Sequence, residues 1–515
     1  MNDMSMPWLT MLLALPLVGA LVVAAIPGAR AGAARWTALG FSLANLVLAL
    51  LMLTQFDTGD GGYQLTEQHA WIEPLGISYA LGVDGIGLTL ILMTAVLVPI
   101  VIVASWHDAD DARWRVSTFF ALMLALEGLV IGVFAATDVF LFYVLFEAVL
   151  IPAYFLIGGF GGARRSYAAV KFLMYSLAGG LLMLASVIGL WALSNSQGDP
   201  SFLLSDLTGL DIGVTEGRWL FLGFFLAFAV KAPMVPLHSW LPDAASSATP
   251  GTSVLLVSVL DKLGTFGMIR FCLELFPEAS EWASPVVVTL AVVSVVYGAL
   301  LAIGQDDMMR LIAFTSVSHF GFIVLGIFAL TTQSASGSTF YMFNHGIATA
   351  GLFLVAGFLI KRRGSARISD FGGVQKVAPV AAGFLLIVGL ASLSLPGLST
   401  FVGEFMVLAG TFTRYGAAAV IATIGIVLAA LYILLMYQRT MTGPLRDDNR
   451  SVTDLVPREI VALAPVVVLL IGFGFFPQPI LDAVNPAVEQ TLEHVGVTDP
   501  EPAATSVPNA EGSSE

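Results

Sequence analysis

Long apolar runs, each bounded by a short polar stretch, follow one another along almost the whole chain. About 20 apolar residues suffice for a helix to cross the hydrocarbon core, and about fourteen runs approach or exceed that length. They cover residues 7–27, 36–54, 81–105, 116–136, 138–160, 167–194, 219–240, 250–276, 285–304, 310–331, 337–360, 378–412, 417–438 and 460–476. The twelfth is long and is interrupted at Pro396-Gly397. The pattern predicts an all-α polytopic membrane protein and excludes a β-barrel, whose strands are short and alternating. No Lys or Arg precedes the first run. The Ala-x-Ala at 29–31 leaves a cleaved signal open, but the long apolar core favours a retained first span.

Composition agrees. The 515 residues are 57% hydrophobic and 11% charged, whereas a soluble domain is nearer half apolar and a quarter charged. The basic residues also set an orientation. Loops after odd-numbered spans hold sixteen of the 22 Lys and Arg; loops after even-numbered spans hold only Arg218 and Arg414. By the positive-inside rule both termini lie outside the cytoplasm. Much of the net charge of −14 falls in the outer loops (Asp57, Asp60, Glu67, Glu73, Asp199, Asp206, Asp211, Glu216) and in the tail after residue 490, where it serves solubility. Residues 498–515, rich in Pro, Ala, Ser and Glu, read as disordered. The single cysteine, Cys272, excludes a disulfide framework, a Cys-ligated iron–sulfur cluster and a CxxC site within this chain. Neither a GxxxxGK[ST] loop nor a GxGxxG in a strand-to-helix context is present, so neither route to nucleotide binding is open.

Several runs contain charges that a bilayer centre disfavours by about 2.5–3.5 kcal/mol each. Glu147 lies in FYVLFEAVLIPAYFL, Lys231 in AFAVKAPMVP, Lys262 in VLDKLGTFGMIRF, His319 in SVSHFGFIVLG, His345 in MFNHGIATAGLF and Glu404 in LSLPGLSTFVGEFMV. At 1.5 Å per residue, Glu147 and His319 sit about 14 Å into their spans, and Lys231 and Lys262 about 18 Å. A core of about 30 Å puts all four near the midplane. Groups at one depth on different helices form a row within the membrane plane, and acid, amines, imidazoles and acid in a row make a proton relay. Glu147 beside Lys231 keeps both ionised, and neutralising one shifts its partner. The structural alternative is helix-to-helix glue. It suits a lone histidine, and it suits Lys171 and Arg270, which read as snorkelling side chains, and Glu127 and Asp261, which read as local caps or pairs. Two lysines and two glutamates at mid-depth in four helices exceed what glue requires.

Breaks accompany the charges. Pro233 and Pro236 follow Lys231, and Pro396-Gly397 precedes Glu404. Broken helices at membrane depth are tolerated where their freed backbone groups line protein or water. Two such spans five helices apart imply an inverted repeat, spans 4–8 and 9–13, each forming one half-channel. The chain then divides into 1–115 (three helices and an outer loop), 116–276 and 277–442 (the two repeats), 443–485 (the last span) and an acidic, disordered tail, 486–515.

KAPMVPLHSWLPDA closely resembles the KxPxxPxHxWLPDAH signature of the antiporter-like subunits of respiratory complex I, a family related to Mrp-type sodium/proton antiporter subunits. FYVLFEAVLIPAYFLI, DKLGTFGMIRF, SVSHFGFIVLG, FNHGIATAGLF and GLSTFVGEF extend the resemblance over most of residues 80–440. Of the three complex I chain types that share this fold, L, M and N, the chain is most similar to M. L carries a long lateral C-terminal helix, and L and N usually place Lys where this sequence has Glu404.

The resemblance implies that Glu147 and Lys231 are a coupling pair, that Lys262 is the central relay, and that His319 and His345 pass protons to Glu404. It implies that His238 and Asp243 shape the cytoplasmic uptake path. It assigns FMN, iron–sulfur clusters and quinone to partner subunits, with no cofactor or metal in this chain. It further implies L and N as neighbours, membrane lipid as surroundings, no nucleic-acid partner, and a bacterial plasma membrane. Ala245 stands where the signature carries His, so that position's role is absent or has moved. Two other readings stay open: a Mrp-type antiporter subunit, and a spacer holding pumping subunits apart.

Overall fold

The computed structural model describes residues 6–500. Among them, twelve helices are long and apolar enough to cross a membrane. They are α1 (Trp8–Ala25), α2 (Gly28–Leu53), α3 (Gly85–Ala104), α4 (Val116–Ala135), α5 (Val139–Phe160), α6 (Arg165–Gln197), α8 (Pro250–Leu273), α9 (Pro277–Ile303), α10 (Met308–Phe328), α11 (Thr332–Arg363), α13 (Gly416–Met441) and α14 (Pro457–Phe475). Two expected spans fall short of that standard for physical reasons. Helix α7 (Val214–Lys231) contains Glu216, Arg218 and Lys231 within 18 residues. The twelfth span divides into α12a (Pro379–Ser392) and α12b (Ser399–Arg414).

Both breaks lie where the prolines put them. After Lys231 the chain leaves the helix for a loop holding a short helix, Trp240–Ser247. Between α12a and α12b it turns through Ser394 (φ 59°) and Gly397 (φ 93°). Glycine adopts that left-handed geometry freely, whereas Ser394 does so at a cost that its surroundings must offset.

Side-chain caps start several helices. Asp84 accepts from Gly87 N at the head of α3, Asp138 from Phe140 N and Leu141 N at the head of α5, and Thr331 from Ser334 N at the head of α11. Each cap satisfies donors that no preceding turn can.

Burial separates the helices into a centre and a periphery. α8 and α10 are buried throughout apart from Pro250 and Arg310, and α11 along nearly all of its length. α1, α2, α6, α13 and α14 expose apolar side chains such as Leu21, Leu181 and Val427, which suits contact with lipid or with other chains. Three of the six proposed relay residues, Lys262, His319 and His345, thus lie on the three central helices.

Two regions differ from expectation. The loop between α2 and α3 contains an antiparallel hairpin, Gln64–Ile72 paired with Ile77–Val83. Its polar and apolar residues are too mixed for a span, and the hairpin pairs its own backbone. Residues 486–495, assigned above to a disordered tail, instead complete helix α15 (Gln478–Val495). Ile480, Val484, Ala487, Val488, Thr491, Leu492 and Val495 are buried at helical spacing. Asp482, Glu489 and Glu493 occupy the exposed face, and that charge gave the segment its tail-like composition. α15 packs on α3 and α11. Residues 496–500 follow it without regular structure, and residues 501–515, the remainder of the expected tail, lie outside the described residues.

Candidate functional site

Four helices bring most of the intramembrane charges together. Lys262, fully buried on α8, places Nζ 2.6 Å from His345 Nδ1 on α11 and 3.0 Å from Val257 O. The Val257 contact follows from a local irregularity: residues Leu255–Leu260 form a π-helical stretch, with Asp261 N bonded to Leu256 O five residues back. Such turns shift the helical register and release a carbonyl, which the lysine then caps. Lys262 Nζ also lies 4.7 Å from the Phe320 ring centroid, within cation–π range.

From His345 the row continues through aromatic and hydroxyl groups. The His345 and His319 ring centroids are 5.4 Å apart. His319 Nδ1 is hydrogen-bonded to the Tyr341 hydroxyl, which donates to Glu404 Oε2 at 3.2 Å. Glu404 accepts a second bond on the same oxygen from Ser394 Oγ, the residue with the left-handed backbone in the α12 break. His319 Nε2 faces the hydroxyls of Ser392 and Tyr432, each at 3.5 Å. The close approach of α12b to α11 depends on Gly403, where a Cβ would stand 2.9 Å from Tyr341 Cβ and 3.0 Å from its backbone.

Glu147 and Lys231 are arranged differently from the sequence expectation. They form no contact ion pair, and Lys231 Nζ and Glu147 Oε1 are both buried without a hydrogen-bond partner. The carboxylate of Glu147 instead packs against α6 at Gly180, where any side chain would collide with it. Lys231 Nζ is 4.7 Å from the Phe146 ring centroid and 5.9 Å from that of Phe172. Aromatic faces thus contribute to holding the ammonium.

The loop after α7 holds the remaining signature residues. Asp243 receives Lys171 Nζ at 2.8 Å, Arg310 at 2.5 Å and Arg164 at 3.3 Å, so it ties α6, α10 and the loop before α6 to one carboxylate. Burial raises the Asp243 carboxyl pKa, but hydrogen bonds from Lys171 and Arg310, and their charge, outweigh it and hold the group below the usual carboxylate range. His238 is buried, its ring edge-on to Tyr297 at 5.7 Å, with Nδ1 unpartnered. Ala245 is fully buried, and its carbonyl accepts from Ser253 Oγ at 2.7 Å.

Three side chains expected to play minor roles do not behave as expected. Arg270 does not snorkel: it is buried and paired with Asp84 and Glu274, because the Asp84 cap of α3 and Glu274 one turn along α8 both face it. Lys171 ends on Asp243 rather than free at the surface. Asp261 pairs with nothing, whereas Glu127 accepts from Asn45 Nδ2 at 2.9 Å as a local partner. Tyr341 and Ser394 were missed altogether. Tyr341 had a legible signal, standing four residues before His345 on one helix face. Ser394 had none beyond its place two residues before Pro396.

Comparison with known proteins identifies the family and the fold. Residues 136–429 match the family described as "NADH:quinone oxidoreductase/Mrp antiporter, TM". The NADH-quinone oxidoreductase subunit M of Mycobacterium tuberculosis (strain ATCC 25618 / H37Rv) is 48% identical over 546 residues, covering 99% of this chain and 98% of that one. A chain in the structure of respiratory complex I from Thermus thermophilus with bound NADH superposes with a TM-score of 0.87 at 32% identity, over 95% of this chain and 100% of that one. A chain of the Mrp complex from Dietzia sp. DQ12-45-1b shares the fold, with a TM-score of 0.81 at 22% identity, over 96% of this chain and 100% of that one.

Proposed function

The chain belongs to the NADH:quinone oxidoreductase/Mrp antiporter membrane-subunit family and is similar to subunit M over nearly its full length, and from that premise we propose that it carries protons across the membrane along the row from Glu147 to Glu404. The observation that carries this reading is the series of buried contacts Lys262–His345 and His319–Tyr341–Glu404, closed at its far end by Ser394. Every member can hold or hand on a proton, and the tyrosine hydroxyl does both at once. With Tyr341 donating to Glu404, its oxygen accepts from His319 Nδ1–H. His345 Nε2, buried and unpartnered, is the ring atom left to hand a proton taken up from Lys262 on toward His319.

Electrostatics supplies a drive without a fuel site in this chain. Two unit charges about 10 Å apart at an effective dielectric near 20 interact by about 1.7 kcal/mol. Moving one charge against 100 mV costs about 2.3 kcal/mol. Changing the pairing of one or two neighbours therefore suffices to move a proton one step. Lys231 Nζ and Glu147 Oε1, both buried without a hydrogen-bond partner, belong to the members most easily re-paired. In this reading the broken α7 and α12 belong to two inverted half-channels, 116–276 and 277–442, opening to opposite sides. His238 and Asp243 lie by the cytoplasmic uptake path. Flavin, iron–sulfur clusters and quinone reside in other subunits, L and N are the flanking chains, and both termini lie outside the cytoplasm of a bacterial plasma membrane.

Gentle purification of a C-terminally tagged chain tests the assignment. Co-purified flavin, iron–sulfur clusters and inhibitor-sensitive NADH oxidation are expected. Recovery with small membrane proteins alone, together with sodium-dependent proton flux that needs no NADH, contradicts it and makes the chain an antiporter subunit.

A further inference from the structure

Asp261 is an intramembrane acid for which the relay above has no task. It is fully buried, and neither carboxylate oxygen has a hydrogen-bond partner. An ionised carboxylate in such a place is costly unless charges of opposite sign stand near it. Its neighbour in sequence, Lys262, is committed elsewhere, to Val257 O and His345. Adjacent helical residues diverge by about 100°, so Asp261 and Lys262 look in different directions.

Packing identifies the direction of Asp261. Gly264 follows it by three residues on the same side of α8. A Cβ on Gly264 would stand 2.6 Å from both Ala232 N and Phe228 O, so α8 meets the end of α7 backbone to backbone there. Lys231 lies between those two contact residues. Lys231 is 1% exposed, and its buried ammonium has no hydrogen-bond partner. An unpaired buried carboxylate and an unpaired buried ammonium thus stand on the contacting stripes of two tightly packed helices.

We propose that Asp261 is a positioning residue of the relay: a fixed carboxylate between Lys231 and Lys262 that offers Lys231 a partner on the side away from Glu147 and lets both lysines be charged together. The inference rests on the relay reading. With Asp261 ionised, the set Lys231–Asp261–Lys262 carries one net positive charge when both amines are protonated; without it, two ammonium groups repel across a dry contact. Movement of the Lys231 ammonium from its unpaired position toward Asp261 shifts a charge along the row with no bond made or broken.

The test uses the whole complex in proteoliposomes, measuring protons moved per NADH oxidised and NADH oxidation with a soluble acceptor. Asp261→Asn and the smaller Asp261→Ser are expected to lower the proton ratio at least fivefold at unchanged complex content and soluble-acceptor activity. Asp261→Glu is expected to keep more than half. A native ratio in the neutral variants while Lys262→Ala is impaired overturns the role of Asp261 alone. A native ratio in Lys262→Ala overturns the relay and the inference with it. Equal loss in Asp261→Glu and the neutral variants, or failure of all of them to assemble, makes Asp261 a packing residue and also overturns it.

Discussion

Tyr341→Phe isolates one atom of the row. The hydroxyl joins His319 Nδ1 to Glu404 Oε2, and the ring that carries it is fully buried on α11. Phenylalanine keeps the ring and its packing against Gly403. It leaves a buried imidazole N–H and one carboxylate lone pair without their partner. Each lost partner costs about 1–3 kcal/mol. Glu404 keeps the Ser394 hydroxyl, and His319 keeps its long contacts to Ser392 and Tyr432, so the lower end applies. A total of about 2 kcal/mol corresponds to a rate roughly thirtyfold lower, since about 1.4 kcal/mol is tenfold. The expected result is proton pumping slowed ten- to thirtyfold in proteoliposomes, followed with a pH-sensitive dye, in a complex assembled at native content. Pumping within twofold of native would show that protons do not pass through this hydroxyl, and the path from His319 to Glu404 would have to be redrawn.

Other perturbations test other parts. Arg270→Ala leaves Asp84 and Glu274 buried without their cation, a loss of about 3–5 kcal/mol for a broken buried pair, and is expected to lower complex content and melting temperature; Arg270→Lys restores little, because one ammonium cannot reproduce the guanidinium fork. Asp243 gives a pH signature. Its folded pKa lies below the unfolded carboxylate value, so its contribution is present above that value and is lost as pH falls through the lower folded one. The melting-temperature difference between the native complex and Asp243→Asn is therefore expected to be full at pH 5–7 and to shrink only below about pH 4; a difference that vanishes already near neutrality contradicts the assigned partners.

Much of this arrangement was legible in the sequence because membranes impose a strict code. Each span must be apolar and must satisfy its own backbone, so charges and prolines inside the runs stood out before any coordinate was known. Lys262, His319, His345 and Glu404 come together for that reason. What was not legible depended on helix rotation. The π-helical stretch before Asp261 directs Lys262 toward His345, and nothing in LLVSVL announces it. Glu147 makes no contact pair with Lys231 and packs instead against α6 at Gly180, a packing fact that sequence spacing does not contain. Arg270 looked like a snorkelling residue because its partner Asp84 lies nearly two hundred positions earlier on another helix. α15 was hidden by its own charge, since an amphipathic helix with an acidic outer face has the composition of a tail.

The most direct measurement is the number of protons moved per NADH oxidised by the purified complex in proteoliposomes, with the native chain, Lys262→Ala and Glu404→Gln compared at equal complex content. The account predicts a lower ratio in both variants, or a fall in NADH–quinone turnover with it where coupling is tight. Native ratio and native turnover in both variants would contradict it and leave the chain as a spacer in the membrane rather than a carrier of protons.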